Sequence, residues 1–396
     1  MKSFSDDIIK RHTKTVGERN EVDEALTMLI FCQDVLGQNL LGPNWSWKNK
    51  IVHLTLFFLV LVHVILGTIE YYNLKNMTEV HFMSQCYYNV AMICLLAVKY
   101  VIYISNKENF QKVYLLAKTS LFKITKMYSI AESKKLLTKV KVYGNILIAA
   151  VTIPLSVNLL AVGWNYAHNN RETLSKSTST LMPMSSPYYE IGLLIHVTYY
   201  LTCVFTCFAI DLWFIILILF FCKTSDCLVS MLKIEQDRSV ETEMEYMDRL
   251  NETLKTFYKN HVHLMEYFEA LKIMFKWSSL IPLVGVLIKW CLILLSITEK
   301  MQWSFLANAM PAMLQILAYN WYGEQVRLKG SELSTALLGF DWTSMRNKDK
   351  KNYLIIICYM EKQFSIKTAL GNDLSLVTMT SIFKASYQVF TLLRST

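Results

Sequence analysis

The stretch that decides the fold is IVHLTLFFLVLVHVILGTIE, residues 51–70. It contains no Lys or Arg, and it is a mostly apolar stretch of the roughly 20 residues that an α-helix needs to cross a bilayer. Comparable stretches recur along the chain. They lie at 82–104, 140–162, 190–221, 277–298, 303–322 and 373–394. The sequence therefore predicts an all-α polytopic membrane protein with seven transmembrane helices.

Composition agrees with a membrane protein and excludes several other classes. The chain has 396 residues, of which 53% are hydrophobic and 18% charged, whereas soluble domains carry about 25% charged residues. The net charge of +9 comes from basic residues between the apolar stretches, so it indicates topology rather than nucleic-acid binding. No phosphate-binding glycine motif, nucleophile–base set or complete set of metal ligands is recognisable. We therefore expect no enzyme activity, no cofactor and no metal.

The distribution of Lys and Arg predicts the orientation. Residues 1–50, 105–139, 223–276 and 323–370 carry 7, 8, 8 and 8 of them, whereas the other three connections carry 1, 2 and 1. Basic loops stay in the cytosol, so the N-terminus is predicted to be cytosolic and the C-terminus extracellular. This orientation is opposite to that of a G-protein-coupled receptor. Of the three glycosylation sequons, only Asn76 then lies outside the cell.

These counts divide the chain into segments. We predict a cytosolic N-terminal segment at 1–50, four transmembrane helices within 51–222, a cytosolic helical anchor region at 223–276, two further transmembrane helices within 277–322, a cytosolic anchor helix and linker at 323–370, and the last transmembrane helix at 371–396. The fourth transmembrane helix is expected to continue into the anchor region, which lacks Gly and Pro.

The anchor region carries an apolar stripe with alternating spacings of four and three. Its members are Leu250, Leu254, Phe257, His261, Leu264, Phe268, Leu271 and Phe275. The stripe predicts burial either within one subunit or between subunits.

The last apolar stretch differs from the others because polar residues recur on one side of it. Thr378, Ser381, Lys384, Gln388, Thr391 and Ser395 fall within an arc of about 140° at 100° per residue. Asn372 is the expected N-cap. One copy of such a helix cannot enclose water, but several copies around an axis can line an aqueous path. The alternative is a polar seam against the chain's own helices.

Aromatic and small polar residues gather toward the outer ends of several predicted crossings. A mostly apolar cavity with a few polar groups suits a small hydrophobic ligand. The alternative is that these aromatic residues lie there because Trp and Tyr favour the membrane–water interface. The candidate ligand-binding residues are Tyr87, Tyr88, Val157, Leu160, Trp164, Tyr199, Thr202, Phe305 and Asn308.

Two stretches near the C-terminus resemble one known family. KASYQVFTLL (384–393) is similar to the signature of the last helix of insect odorant receptors. YNWYGEQVRLKGSELSTALLGFDW (319–342) resembles the region before that helix, departing from the family's frequent Cys at Asn320. Length, number of crossings and orientation also agree with the family.

The resemblance implies a function and a set of partners. It implies an odorant-gated cation channel in the plasma membrane of olfactory neurons, built as a heterotetramer of tuning subunits and an obligate co-receptor. The short 223–276 region resembles a tuning subunit. The resemblance also places Gln388 and Thr391, with Val389 and Leu392 beside them, where the family narrows its pore, and Trp164, Phe305 and Asn308 around the odorant. The main alternative is a gustatory-type chemoreceptor channel of the same superfamily. A membrane transporter is a weaker alternative.

Overall fold

The computed structural model describes residues 21–38, 47–74, 80–171, 185–234, 242–299, 309–360 and 364–395. In these ranges the regular structure is helical, apart from an isolated antiparallel bridge between Lys367 and Asp373. The helices are α1 (Glu21–Ala25), α2 (Thr27–Val35), α3 (Trp47–Leu74), α4 (Val80–Ser105), α5 (Lys107–Leu116), α6 (Phe122–Tyr128), α7 (Ile130–Ala167), α8 (Tyr188–Ile234), α9 (Glu243–Ser278), α10 (Leu280–Glu299), α11 (Ala309–Leu338), α12 (Asn347–Met360) and α13 (Leu376–Ser395). A π-helical turn, Ala117–Leu121, joins α5 to α6.

The predicted crossings coincide with long helices. Five of them fall on α3, α4, α7, α8 and α13, and the stretch at 277–298 runs from the end of α9 through α10. The stretch at 303–322 begins outside the described residues and continues on α11. Among the described residues, two helical stretches are long and apolar enough by themselves to cross a membrane, Phe205–Lys233 and Glu243–Leu294. The number of crossings and the sidedness of the termini stay predictions.

The chain forms two compact units. The first comprises Met1–Ile65 and Lys134–Leu212, and the second comprises Leu66–Ser133 and Trp213–Thr396. In the first unit, the buried Gln38 side chain donates a hydrogen bond from Nε2 to Thr206 Oγ1 on α8 at 2.8 Å. This bond fixes the segment after α2 to α8.

Aromatic packing organises the second unit. Trp213 is fully buried, and its ring meets those of Phe110 and Tyr114 edge to face at 4.9 and 5.7 Å. The next residue, Phe214, stacks on Tyr319 of α11 at 4.3 Å. Such pairs add about 0.5–1.5 kcal/mol each beyond the area they bury. The segment of α8 that carries Trp213 and Phe214 is therefore held between α5 and α11.

The stripe of the anchor region lies on α9 and is buried inside this chain. Each of its eight members is at most 3% exposed. Because these side chains are already covered within the chain, burial of this stripe between subunits was the wrong alternative. The spacing identified the buried face correctly.

The fourth predicted crossing continues into the anchor region as expected, but a second helix begins within that region. α8 ends at Ile234, and α9 begins anew after Thr242. Thr242 and Glu245 form a capping box, in which the Thr242 hydroxyl accepts from the Glu245 N–H and the Glu245 carboxylate accepts from the Thr242 N–H. A capping box satisfies two free N–H groups and so starts a helix where no Gly or Pro interrupts the sequence.

Candidate functional site

The last helix begins three residues later than the sequence predicted. Ser375, not Asn372, is the cap, because its Oγ accepts the Thr378 N–H at 3.2 Å. Asn372 instead belongs to a tight turn in which its carbonyl accepts the Thr368 N–H at 2.9 Å. Gly371 supplies the positive φ of 84° that this turn requires. Asn372 lies in this turn and Asp373 pairs with Lys367 in a bridge, so the helix starts only after Ser375.

Asn320 holds the start of α13 from the side of α11. Its side chain is fully buried, accepts the Ser375 N–H at Oδ1 (3.2 Å) and donates from Nδ2 to the Ile316 carbonyl (2.9 Å). Gly323 lies one turn further along α11, where an added Cβ would stand 2.4 Å from Leu374. The sequence had marked Asn320 only as a departure from a family pattern. Its structural role is to fix the position of α13.

One face of α13 packs on α10 and α11. Phe383 meets Trp290 of α10 edge to face at 5.9 Å, and Cys291 donates from Sγ to the Ser386 carbonyl at 3.2 Å. Ser386 is fully buried and Phe390 is 7% exposed. The packed face of α13 is thus the apolar side together with Ser386.

The polar stripe of α13 lies on the opposite, exposed side of the helix. Ser381, Lys384, Gln388 and Thr391 are exposed, and Thr378 is half-buried. Val389 and Leu392, beside the stripe, are also exposed, at 39% and 65%. A polar seam against the chain's own helices was therefore the wrong alternative for these residues.

The hydroxyls of the stripe are oriented by their own helix. Thr378 Oγ1 donates to the Asp373 carbonyl (2.6 Å), Ser381 Oγ to the Val377 carbonyl (3.1 Å) and Thr391 Oγ1 to the Gln388 carbonyl (2.8 Å). Because each hydroxyl proton is used inside the helix, the oxygen lone pairs are left as acceptors on the exposed side. The exposed face combines these acceptors with the Gln388 amide and a single ammonium, Lys384.

The predicted ligand-binding residues are divided between the units and are only partly described. In the first unit, Leu160 and Trp164 are 73% and 68% exposed, and Thr202 is buried with its hydroxyl donated to the Thr198 carbonyl at 2.7 Å. In the second unit, Tyr87 is half-buried on α4. For Tyr88, Val157 and Tyr199 only the helical backbone is described, and Phe305, Asn308 and the sequon Asn76 lie outside the described residues. This group stays a prediction.

One buried titratable group in the anchor region is His261, the one polar member of the predicted stripe. The His261 ring is 1% exposed, stacks on Phe257 at 5.8 Å and meets Tyr359 and Phe364 edge to face at 6.3 and 6.1 Å. Neither ring nitrogen has a hydrogen-bond partner. Burial lowers the pKa of His261 to about 4, so the ring is neutral near pH 7. Its position in an apolar stripe was the available signal.

Comparison with known proteins gives consistent matches. The profile of the 7tm Odorant receptor family matches residues 80–387. Odorant receptor 10 of Aedes albopictus is 25% identical over 140 residues, so the match spans 34% of this chain and only 37% of that receptor.

Two solved structures of the insect olfactory receptor OR5 from Machilis hrabei are similar over nearly the whole chain. The receptor alone and its complex with eugenol give TM-scores of 0.71 and 0.72, at 13% sequence identity. Each covers 94% of this chain, and the chain covers 99% and 97% of them. At this level of identity, the likeness establishes an all-helical membrane fold.

Proposed function

The chain belongs to the 7tm Odorant receptor family, and from that premise we propose that it is a tuning subunit of an odorant-gated, non-selective cation channel. Family membership places it among receptors rather than enzymes. The proposed channel is a heterotetramer with an obligate co-receptor in the plasma membrane of olfactory neurons. Seven crossings follow from the seven apolar stretches, and a cytosolic N-terminus with an extracellular C-terminus follows from the distribution of Lys and Arg.

The observation that carries the proposal is the exposed polar face of α13. A helix that turns Ser381, Gln388 and Thr391 away from its own subunit leaves polar groups in the bilayer unless partners or water cover them. Equivalent helices around a common axis would enclose water between these faces. The hydroxyl and amide oxygens would then replace part of a cation's hydration shell.

Lys384 places a positive charge on the proposed pore face. Its ammonium is exposed on the same arc as Gln388, and a fixed positive charge opposes cation entry. A channel made of four identical copies would concentrate four such charges around one axis. A mixed assembly with a co-receptor dilutes them, so Lys384 favours the heteromeric arrangement.

The proposed ligand is a small, mostly apolar volatile molecule held among the outer halves of the helices. Eugenol, the molecule in the second Machilis hrabei structure, has this character. Affinity would come mainly from apolar burial at roughly 25 cal/mol per Å². The Thr202 hydroxyl already donates to its own helix, so it could orient a ligand only as an acceptor.

Coupling between ligand and pore would run through α10 in the second unit. α10 packs on α4, which carries Tyr87, and on its other side packs on α13 through the Trp290–Phe383 contact. The α4 contact is close, because a Cβ at Gly285 would stand 3.0 Å from Leu95 Cδ1. A ligand opens the pore only by preferring the open arrangement, and a tightly packed α10 transmits a displacement of α4 to α13.

The test is co-expression with an insect co-receptor in cells that lack both subunits. Odorants should evoke cation currents when both subunits are expressed and none when this chain is expressed without the co-receptor. The odorant profile should change when this subunit is exchanged for another. Equal currents from this chain without the partner would contradict a tuning subunit, and saturable solute uptake without current would indicate a transporter.

A further inference from the structure

A cleft of about 180 Å³ opens in the first unit between the helices α1 and α2 and the helix α7. Leu26, Leu29 and Val140 form its apolar floor and are at most 2% exposed. Gly144 leaves space on the α7 side, since an added Cβ would meet nothing within 4 Å. Sites for whole drug-sized ligands are about 300–1,000 Å³. This cleft is therefore the size of a fragment or a lipid headgroup.

The rim of the cleft carries opposite charges on its two walls. Glu24 of α1 lies on one side, and Lys141 and Asn145 of α7 lie on the other. All three side chains are exposed, and in the described part of the chain none of them forms a hydrogen bond or an ion pair. The rim therefore offers an unused carboxylate, ammonium and amide to a ligand that is itself charged at both ends.

Exposed apolar side chains continue from both walls. Met28 and Phe31 of α2 are 49% and 59% exposed, and Val142 and Ile146 of α7 are 48% and 55% exposed. Each pair is spaced three or four residues apart, so it lies on one side of its helix. We call these two pairs the apolar tracks. Together with the charged rim of the cleft they offer the polar and apolar groups that a phospholipid headgroup and its acyl chains require.

We propose that this cleft binds the headgroup of a zwitterionic glycerophospholipid. The phosphate lies on Lys141 and Asn145, the headgroup ammonium lies on Glu24, and the acyl chains run along the two apolar tracks. An anionic headgroup matches less well because it would bring a second negative charge to Glu24. The inference rests on the proposed topology, in which Lys141 lies at the cytosolic start of the predicted crossing 140–162. The cleft then lies at the level of the lipid headgroups.

Native mass spectrometry of the purified full-length chain in detergent tests the proposal. The probes are palmitoyl-oleoyl phosphatidylethanolamine and palmitoyl-oleoyl phosphatidylserine, titrated separately. The first should be retained at a concentration at least fivefold lower than the second. Lys141→Ala should raise the half-saturating concentration of the ethanolamine lipid at least fivefold, and Glu24→Gln should remove the preference between the lipids. Preference for the serine lipid would overturn the proposal.

The matched control is Lys139→Ala, which removes the same charge from an exposed site two residues away that does not line the cleft. It should bind like the wild type, and equal losses in the Lys139 and Lys141 variants would overturn the proposal. Gly144→Leu provides a steric test, because it fills the cleft, keeps Lys141 and raises helix propensity. It should abolish lipid retention while the unfolding temperature stays at or above that of the wild type, and wild-type retention would refute the site. No co-receptor, odorant or current is needed, so this result is separate from the channel proposal.

Discussion

Replacing His261 with Leu should make the anchor region more stable and less sensitive to acid. At pH 7 the wild-type ring is buried with both nitrogens unpaired, and an unsatisfied buried polar group costs about 1–3 kcal/mol. Leu fills the position without that cost, although it loses the stacking on Phe257. We expect a net gain of about 1 kcal/mol in the free energy of unfolding.

The pH dependence gives a larger and more specific effect. The pKa of His261 is lowered to about 4 in the folded state from about 6.5 when unfolded. The stability that a neutral ring contributes is therefore complete above pH 6.5 and is lost as the pH falls toward 4. At about 1.4 kcal/mol per unit, the full loss is about 3 kcal/mol, of which about 1.4 kcal/mol has gone by pH 5.5.

The assay is thermal unfolding of the purified chain at pH 7.5 and pH 5.5. The wild type should lose the His261 contribution between these conditions, and His261→Leu should lack it. His263→Leu is the control, since His263 is two residues away and only half-buried. The reasoning is refuted if His261→Leu retains the wild-type pH dependence, or if it lowers stability at pH 7.5 by several kcal/mol.

Three further predictions follow from other parts of the chain. Gly323→Ala should destabilise α13 by about 1–3 kcal/mol because the new Cβ clashes with Leu374, and reduced surface expression would show the loss. Gly339→Ala is the control and should be expressed normally, since its new Cβ makes ordinary contacts of 3.6 Å or more. Lys384→Gln should increase single-channel cation conductance in the co-expressed channel, and an unchanged conductance would place Lys384 outside the ion path. Asn76 should be the one glycosylated sequon, detected as a shift in gel mobility that Asn76→Gln removes. Glycosylation of either other sequon would contradict the predicted topology.

The periodic features of this molecule could be read from the sequence because a helix converts spacing directly into a face. The α9 stripe and the polar side of α13 both lie where a rotation of 100° per residue puts them. Neither prediction required knowledge of which helix packs against which. Predicting what each face contacts does require that knowledge. The sequence therefore left open whether each face packs against its own chain or against another subunit.

The errors arose where a local signal competed with tertiary structure. Asn372 is a good N-cap residue, but the turn at Gly371 takes it, and Asn320 on a distant helix binds the backbone of Ser375 instead. The start of α9 was missed because the segment contains no Gly or Pro. Thr242 and Glu245, which form the capping box, were the sequence signal for it. The proposed ligand pocket could not be derived from the sequence, because its candidate residues lie on several helices and no sequence spacing encodes how those helices approach one another.

The most direct test of the account is whether water and ions reach the polar face of α13 in an open channel. Gln388→Cys and Thr391→Cys would be co-expressed with a co-receptor and treated with a charged methanethiosulfonate reagent during odorant application, with Ser386→Cys on the packed face as control. The account predicts rapid, irreversible block of current in the first two variants and none in the control or the wild type. Unmodified currents in both stripe variants, from channels that respond normally to odorant, would contradict it.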